Sequence, residues 1–414
     1  MGGKAAILLV LGFSLIFMVA GHNFGNLSTR SVENLAKYYT ETNAHNIAIS
    51  AANMAASKIF FDKTWTTGYS NVPFSNGEMD VSIVNSGTQK TIIAIGRYQD
   101  QKDTVKVILD PSYFSKFGNF YTTMSALPAT GDTYNGPFHT NGSMKTWGTP
   151  VFWGKVTSRY SLKMYGSPKD PKFYGGYESG VNIPLEFDTS GMRFNASTSG
   201  AVFKDTAGLG RKVDLKLKFK ASGNVEYSSM INNDGVWSTP VDTPLVDLSS
   251  NGILFVEKGN IFVEGTLNGK ATIVASKKGT SGCGNIFQTD DVRYADDPKA
   301  NPSANDILGM VAEDNIRIQH NANTVGQDIV TQASMFAKNG NIGPDDALVH
   351  QGSLHSWRIL GGLIAKTTRV TADYDSYGPT NGLKFVHDYD DRFMTMVPPS
   401  FPHTRYYEIV SWYE

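Results

Sequence analysis

Two short phrases that recur together between residues 260 and 366 constrain this chain more than any other feature. The phrase hydrophobic, hydrophobic, Ala, polar occurs as Ile273-Val274-Ala275-Ser276, Met310-Val311-Ala312-Glu313, Met335-Phe336-Ala337-Lys338 and Leu363-Ile364-Ala365-Lys366, with the alanines stepping by 37, 25 and 28 residues. Beside it runs Asn-Ile, at Asn260-Ile261, Asn285-Ile286, Asn315-Ile316 and Asn341-Ile342, with steps of 25, 30 and 26. Two motifs sharing one loose period imply stacked structural coils. The repeated cores are short apolar runs between Gly, Asn and Asp, which predicts strands. The expected fold class is mainly β, ending in a parallel β-solenoid (β-helix) whose coils stack through backbone hydrogen bonds. Alanine at one coil position suits a narrow interior, and Asn before Ile suits a corner. Strands are expected at 253–257, 260–264, 271–275, 309–312, 315–318, 329–335 and 363–365.

The rest of the composition agrees. The charged fraction of 18% lies below the roughly 25% usual for globular chains, while 41 Gly, 19 Tyr and 23 Phe point to β structure rich in turns. A net charge of −1 gives no electrostatic reason to expect nucleic acid as a partner. The single cysteine, Cys283, rules out an intramolecular disulfide. It sits in a Gly-rich stretch with no cation nearer than Lys278, and reads as an incidental loop residue.

The N-terminus bears on compartment. Residues 5–20, from Ala5 through Leu9, Phe13 and Phe17 to Ala20, carry no charge and follow Lys4. Sixteen residues make a helix about 24 Å long, slightly short of a roughly 30 Å hydrocarbon core. Lys4 places the N-terminus in the cytoplasm and the rest of the chain beyond the membrane. A cleaved secretory signal is the other reading, but Met18 and His22 fit its small-residue cleavage pattern poorly. From Val32 the apolar residues keep the spacing of one helical face to about Phe61, with a break expected at 21–26. Alternation then predicts a three-strand meander at 81–83, 91–95 and 105–109.

An apolar helix, its amphipathic extension and a short antiparallel meander make residues 1–110 resemble the type IV pilins and pseudopilins, particularly the minor ones. Within that resemblance Gly3-Lys4 is similar to a very short prepilin leader, making Gly3 and Lys4 the implied processing site. Counting from Lys4, position five is Leu8, where most family members carry Glu. The resemblance implies anchoring in the bacterial inner membrane and other pilin-like subunits or a pilus or secretion assembly as partners. No cofactor is expected.

Four segments are expected: an anchor at 1–30, a helix with meander at 31–115, a β-rich middle with long loops at 116–250, and the repeat domain with a C-terminal cap at 251–414. In the middle, Gly136, His139, Asn141 and Gly142 read as a turn motif at a coil corner. His139 has no nucleophile phrase beside it and no second His at ligand spacing. Residues 167–206 read as surface loop. In 213–219, Val213, Leu215, Leu217 and Phe219 are expected inside, with Asp214, Lys216 and Lys218 in solvent. The doublets Asp290-Asp291, Asp296-Asp297, Asp345-Asp346 and Asp390-Asp391 are all expected in loops. They leave a glycan-active enzyme or a structural calcium as minor readings. The aromatic tail at 406–413 is expected to close the end of the solenoid.

From Gly131 onward the chain also resembles an uncharacterised bacterial envelope family. Shared phrases are Gly-Pro-x-His-Thr-Asn-Gly from Gly136 to Gly142, Tyr-Asp-x-Arg at Tyr389 to Arg392, and Pro-Pro-x-Phe-Pro at Pro398 to Pro402. The expected function is a non-enzymatic envelope component of the minor pilin kind. A membrane-anchored adhesin or glycan-binding β-helix is the alternative, and a polysaccharide-active enzyme a more distant one.

Overall fold

The computed structural model describes residues 2–185, 189–375 and 377–414, without side-chain detail at 189, 190 and 405. The protein is mainly β with one long N-terminal helix, and its chain divides into two compact units, 1–111 with 406–414, and 112–405.

In the first unit, helix α1 runs from Gly2 to Phe61 without interruption. The break expected at 21–26 is absent. The Thr29 hydroxyl donates to the Gly25 carbonyl at 3.0 Å and the Ser31 hydroxyl to that of Leu27 at 2.9 Å, so local polar groups turn back onto the helix. Each Gly costs only about 1 kcal/mol relative to Ala, which a long cooperative helix absorbs. Strands β1 (Tyr69–Phe74), β2 (Gly77–Ser86), β3 (Gln89–Tyr98) and β4 (Gln101–Tyr113) form an antiparallel meander. There are four strands where three were expected. The missed one, β1, has an irregular register and Asn71 at φ 47°, which breaks the alternation that would reveal it.

The tail overturns a further expectation. Strand His403–Tyr413 lies beside β4 as the fifth strand of this sheet, and does not cap the repeats. Residues 112–405 are therefore inserted between two neighbouring strands of one sheet. Val81, Ile92, Ala94, Val105 and Val107 of the sheet pack against a strip of α1 formed by Ile47, Ala48, Ala51, Ala52, Ala55 and Ile59. The backbones come close. A Cβ on Gly96 would lie 2.1 Å from the Ala44 carbonyl oxygen and 2.5 Å from the Ala48 nitrogen.

The second unit is built of parallel ladders in which strands about two apart in the chain pair side by side. In one ladder Ile253–Val256, Lys270–Ala275, Ile307–Ala312, Ile329–Ala337 and Leu354–Thr367 follow one another. Ala275 pairs with Ala312, Ala312 with Ala337 and Ala337 with Ala365, so the repeated alanines form one column. Alternation sends Ile273, Met310, Met335 and Leu363 into the main core, whereas Val274, Val311, Phe336 and Ile364 face outward. That outer row is covered by Phe114, Phe401 and helix α2 (Thr189–Ser199) through Met192 and Ala196. Both faces are buried, which is why the phrase carries two hydrophobic residues in succession.

A second ladder joins Val213–Phe219, Ile261–Leu267, Ile286–Tyr294, Ile316–Ile318 and Ile342–Pro344. Its edge carries an asparagine column. Asn260 Oδ1 accepts from the Asn285 nitrogen at 3.0 Å, Asn285 Oδ1 from that of Asn315 at 3.2 Å, and Asn315 Oδ1 from that of Asn341 at 3.1 Å. Asp214 begins the column by accepting from the Asn260 nitrogen at 2.9 Å, with Lys212 at 3.2 Å. Asp214 is buried, against the expectation of a solvated face. Lys216 and Lys218 are exposed as expected.

The first ladder does not follow chain order. Asn119–Thr123 pairs with Leu354–Thr367, then Phe138–Trp147, Val156–Tyr165 and Tyr177–Ser179 continue outward. At the opposite end of the ladder Ala201–Phe203 pairs with Ile253–Val256. Residue 250 is thus no boundary, because the expected middle and repeat segments share one ladder within one unit. The segment 167–206, expected as loop, contains Lys172–Phe173, Tyr177–Ser179, α2 and Ala201–Phe203. Its residues 186–188 lie outside the description.

Candidate functional site

The first candidate site is the beginning of α1. Leu9 and Phe13 are exposed, Phe17 is 72% exposed, Ala5 is exposed and Ala20 half-buried. Gly3 and Lys4 are exposed on its first turn. A single helix thus presents bare apolar surface in its first third and an alanine strip packed on a sheet in its last third. It is long and apolar enough to cross a membrane.

The second site gathers the phrases of the middle region. Gly136 alone occupies a turn, at φ 78°. Its Cβ position lies 2.4 Å from Tyr389 Cγ, so the first shared phrase meets the second here. His139, Asn141 and Gly142 lie on strand Phe138–Trp147, which corrects their expected place in a turn. Asn141 Oδ1 accepts from the Ile183 nitrogen at 3.0 Å and its Nδ2 donates to the Ile183 carbonyl at 2.6 Å, which pins the returning segment. This orientation makes His139 Nε2 the donor to Asn141 Oδ1 at 3.0 Å, and leaves Nδ1 accepting from the Thr157 hydroxyl at 2.7 Å. Burial lowers the pKa of His139. Neutral, buried and bonded at both nitrogens, it positions the backbone and has no free lone pair for proton transfer.

The acidic doublets are separately engaged. Asp290 and Asp291 lie on a strand, not in a loop, and Asp291 pairs with Arg293. Asp346 pairs with Arg369, and Asp390 takes Arg392 in a two-pronged pair at 2.9 and 2.7 Å. Asp345 accepts from the His320 nitrogen at 3.0 Å, and Asp296 from Asn301 at 2.7 Å. Among the described residues no group of three or more His, Cys, Asp or Glu is placed to hold a metal ion. Cys283 is buried, and burial raises its thiol pKa.

A third site has no counterpart in the sequence reading. Segment 125–132 and segment 368–374, which ends in strand Ala372–Tyr374, meet over a cavity of about 140 Å³ within the second unit, lined by Tyr121, Asp132, Tyr134, Trp357, Tyr374 and Phe385 among others. Asp132 is 5% exposed. One carboxylate oxygen accepts from the Tyr374 hydroxyl at 2.7 Å and the other from the Ala129 nitrogen at 2.8 Å. Burial pushes its pKa up to about 6, against the pull of these donors and of Lys384. Burial likewise raises the pKa of Tyr134 and Tyr374, so both phenols are neutral donors. Asp132 and Tyr374 are 242 residues apart. A separation of that size leaves no local spacing to read, and the only sequence signal was the density of aromatics after Gly131.

No family model and no curated protein sequence matches the chain. Among solved structures it is similar to one described as the crystal structure of competence-associated pilin ComZ from Thermus thermophilus, at 11% identity and a TM-score of 0.33, over 90% of this chain and 97% of that one.

Proposed function

We propose that this protein is a non-enzymatic structural component of the bacterial cell envelope, a minor pilin-like or pseudopilin-like subunit of a type IV filament or secretion apparatus. It is held in the inner membrane by residues 5–20, N-terminus in the cytoplasm and body beyond the membrane. The observation that carries this reading is α1: one 60-residue helix, uninterrupted from bare apolar surface to an alanine strip packed on an antiparallel sheet. A helix built in that way joins a lipid-facing segment rigidly to a folded domain, as a subunit stacked through its helices requires. We read the second unit as a parallel β-solenoid. The alanine column, the asparagine column and the two-sided burial of the strands support this. The neutral, fully bonded His139 and the separately paired carboxylates support a non-enzymatic role.

The test is expression of the full tagged chain in a Gram-negative host, followed by membrane fractionation and alkaline extraction. The wild type is expected in the extracted membrane pellet. Phe13→Lys, which places a charge near the helix centre at a cost of about 3 kcal/mol, is expected to shift it toward the soluble fraction. A wild type fully soluble in the cytoplasm refutes the reading. N-terminal sequencing of the membrane-bound chain tests processing at Gly3-Lys4, and cross-linking from cysteines placed along 5–20 tests contact with other pilin-like subunits.

A further inference from the structure

The cavity beneath segments 125–132 and 368–374 has properties that packing alone does not require. It contains a carboxylate, Asp132, nine-tenths or more buried, that forms no salt bridge among the described residues and feels only the weak pull of Lys384. Burying an anion in this way is costly unless a counter-charge is supplied. Its walls carry six aromatic rings, of Tyr121, Tyr134, Phe138, Trp357, Tyr374 and Phe385, beside aliphatic side chains such as Ile342 and Leu363. The one guanidinium in the lining, Arg369, is engaged elsewhere, donating to the Pro344 carbonyl at 2.7 Å and to Asp346 at 2.8 Å. The mouth is accessible, since Val370 is exposed and Ala126, Leu127 and Thr368 are half-buried.

We propose that this cavity binds a small organic ammonium ion of the tetramethylammonium or choline type. Three features select that class. The volume of about 140 Å³ is close to the roughly 150 Å³ of a cavity able to hold benzene, a size similar to a trimethylammonium head. Aromatic walls attract a diffuse cation through their ring quadrupoles, and the carboxylate supplies the net charge. The donors already on Asp132 exclude two competitors. With one oxygen accepting from the Tyr374 hydroxyl and the other from the Ala129 nitrogen and the Tyr134 hydroxyl, a neutral sugar finds few free lone pairs for directional hydrogen bonds, whereas a quaternary ammonium needs only proximity. A hard metal ion needs several oxygen ligands, and this cavity holds one carboxylate with neutral phenols. The inference is independent of the membrane reading.

The experiment titrates the full chain in detergent with tetramethylammonium chloride and with choline chloride, using sodium chloride and glucose as matched controls. Calorimetry and tryptophan fluorescence are the readouts, Trp357 lining the cavity. Saturable binding of both ammonium ions is expected, with none of glucose. Asp132→Asn is expected to weaken binding at least about tenfold, the scale of a lost charge-assisted contact. Val370→Trp, a change at an exposed position on the mouth, is expected to reduce binding while leaving the melting temperature unchanged, and serves if Asp132→Asn does not fold. The proposal is overturned if the wild type shows no saturable ammonium binding up to about 10 mM, if glucose binds as well as choline, or if folded Asp132→Asn or Val370→Trp binds as tightly as the wild type.

Discussion

The asparagine column yields a prediction with a built-in control. Asn285 Oδ1 accepts from both the backbone nitrogen and Nδ2 of Asn315, at 3.2 and 3.1 Å, and Asn285 Nδ2 donates to Asn260 Oδ1 at 3.2 Å. Asn285→Ala leaves the Asn315 N–H without its acceptor inside a stacked ladder. An unpaired interior donor costs about 1–3 kcal/mol and an ordinary lost hydrogen bond about 1 kcal/mol. The expected loss is therefore about 2–4 kcal/mol. Asn341 is the same residue type at the other end of the same column, yet its Oδ1 has no hydrogen-bond partner. The bond its backbone N–H makes to Asn315 Oδ1 survives truncation. Asn341→Ala should consequently stay within about 0.5 kcal/mol of the wild type. Urea unfolding followed by near-ultraviolet circular dichroism and tryptophan fluorescence measures both. With an m-value of about 3 kcal/mol/M, Asn285→Ala lowers the midpoint by about 1 M and Asn341→Ala leaves it in place. Equal losses at the two positions would refute the claim that direction along the column, and not asparagine itself, carries the stabilisation.

Three further outcomes follow from the geometry. Gly96→Ala drives a methyl group into the α1 backbone at Ala44 and Ala48 and is expected to destabilise the first unit by about 3 kcal/mol. Gly87→Ala, at φ 59° with open space around it, costs only about 1–2 kcal/mol, and thermal melts distinguish the two. Buried His387 is held down to about 4 from 6.5, chiefly by burial, so the native state refuses a proton that the unfolded chain binds between those values and stability rises with pH across that window. Asp132, held up at about 6 from 3.8, acts in the opposite sense, losing stability as pH rises from 3.8 through 6. Folded Asp132→Asn should therefore gain about 1.4 kcal/mol more per pH unit than the wild type between pH 4 and 6, readable from urea midpoints at a series of pH values. Cys283, buried with a raised pKa, should resist maleimide in the native protein and react fully in urea. Rapid native labelling would show that its loop opens.

The sequence was legible wherever contacts repeat at a period. The alanines of the repeated phrase stack in register on paired strands, and the end of α1 at Phe61 coincides with the end of its apolar spacing. Strands Ile286–Tyr294 and Ile342–Pro344 went unread, the first because Asp290 and Asp291 interrupt its alternation, the second because it is three residues long. Asp214 looked like a solvated charge from alternation alone. Its burial follows from the partner strand, whose Asn260 nitrogen it must satisfy.

What the sequence determined by itself is local and periodic: an apolar first segment, a helical face ending near Phe61, and β strands with Ala and Asn at recurring positions. Such patterns are written in neighbouring residues, because side chains on one face recur at the period of the element. Only the tertiary structure decided that the tail completes the first sheet, that residues 112–405 are inserted between two of its strands, and that strands of the first ladder meet out of chain order where Ala365 pairs with Tyr121. It also decided that Asp132, Tyr374 and Trp357 share one cavity. Each of these depends on chain segments hundreds of residues apart competing for the same hydrogen-bonding edge or apolar face, and the winner is set by how well the whole set packs.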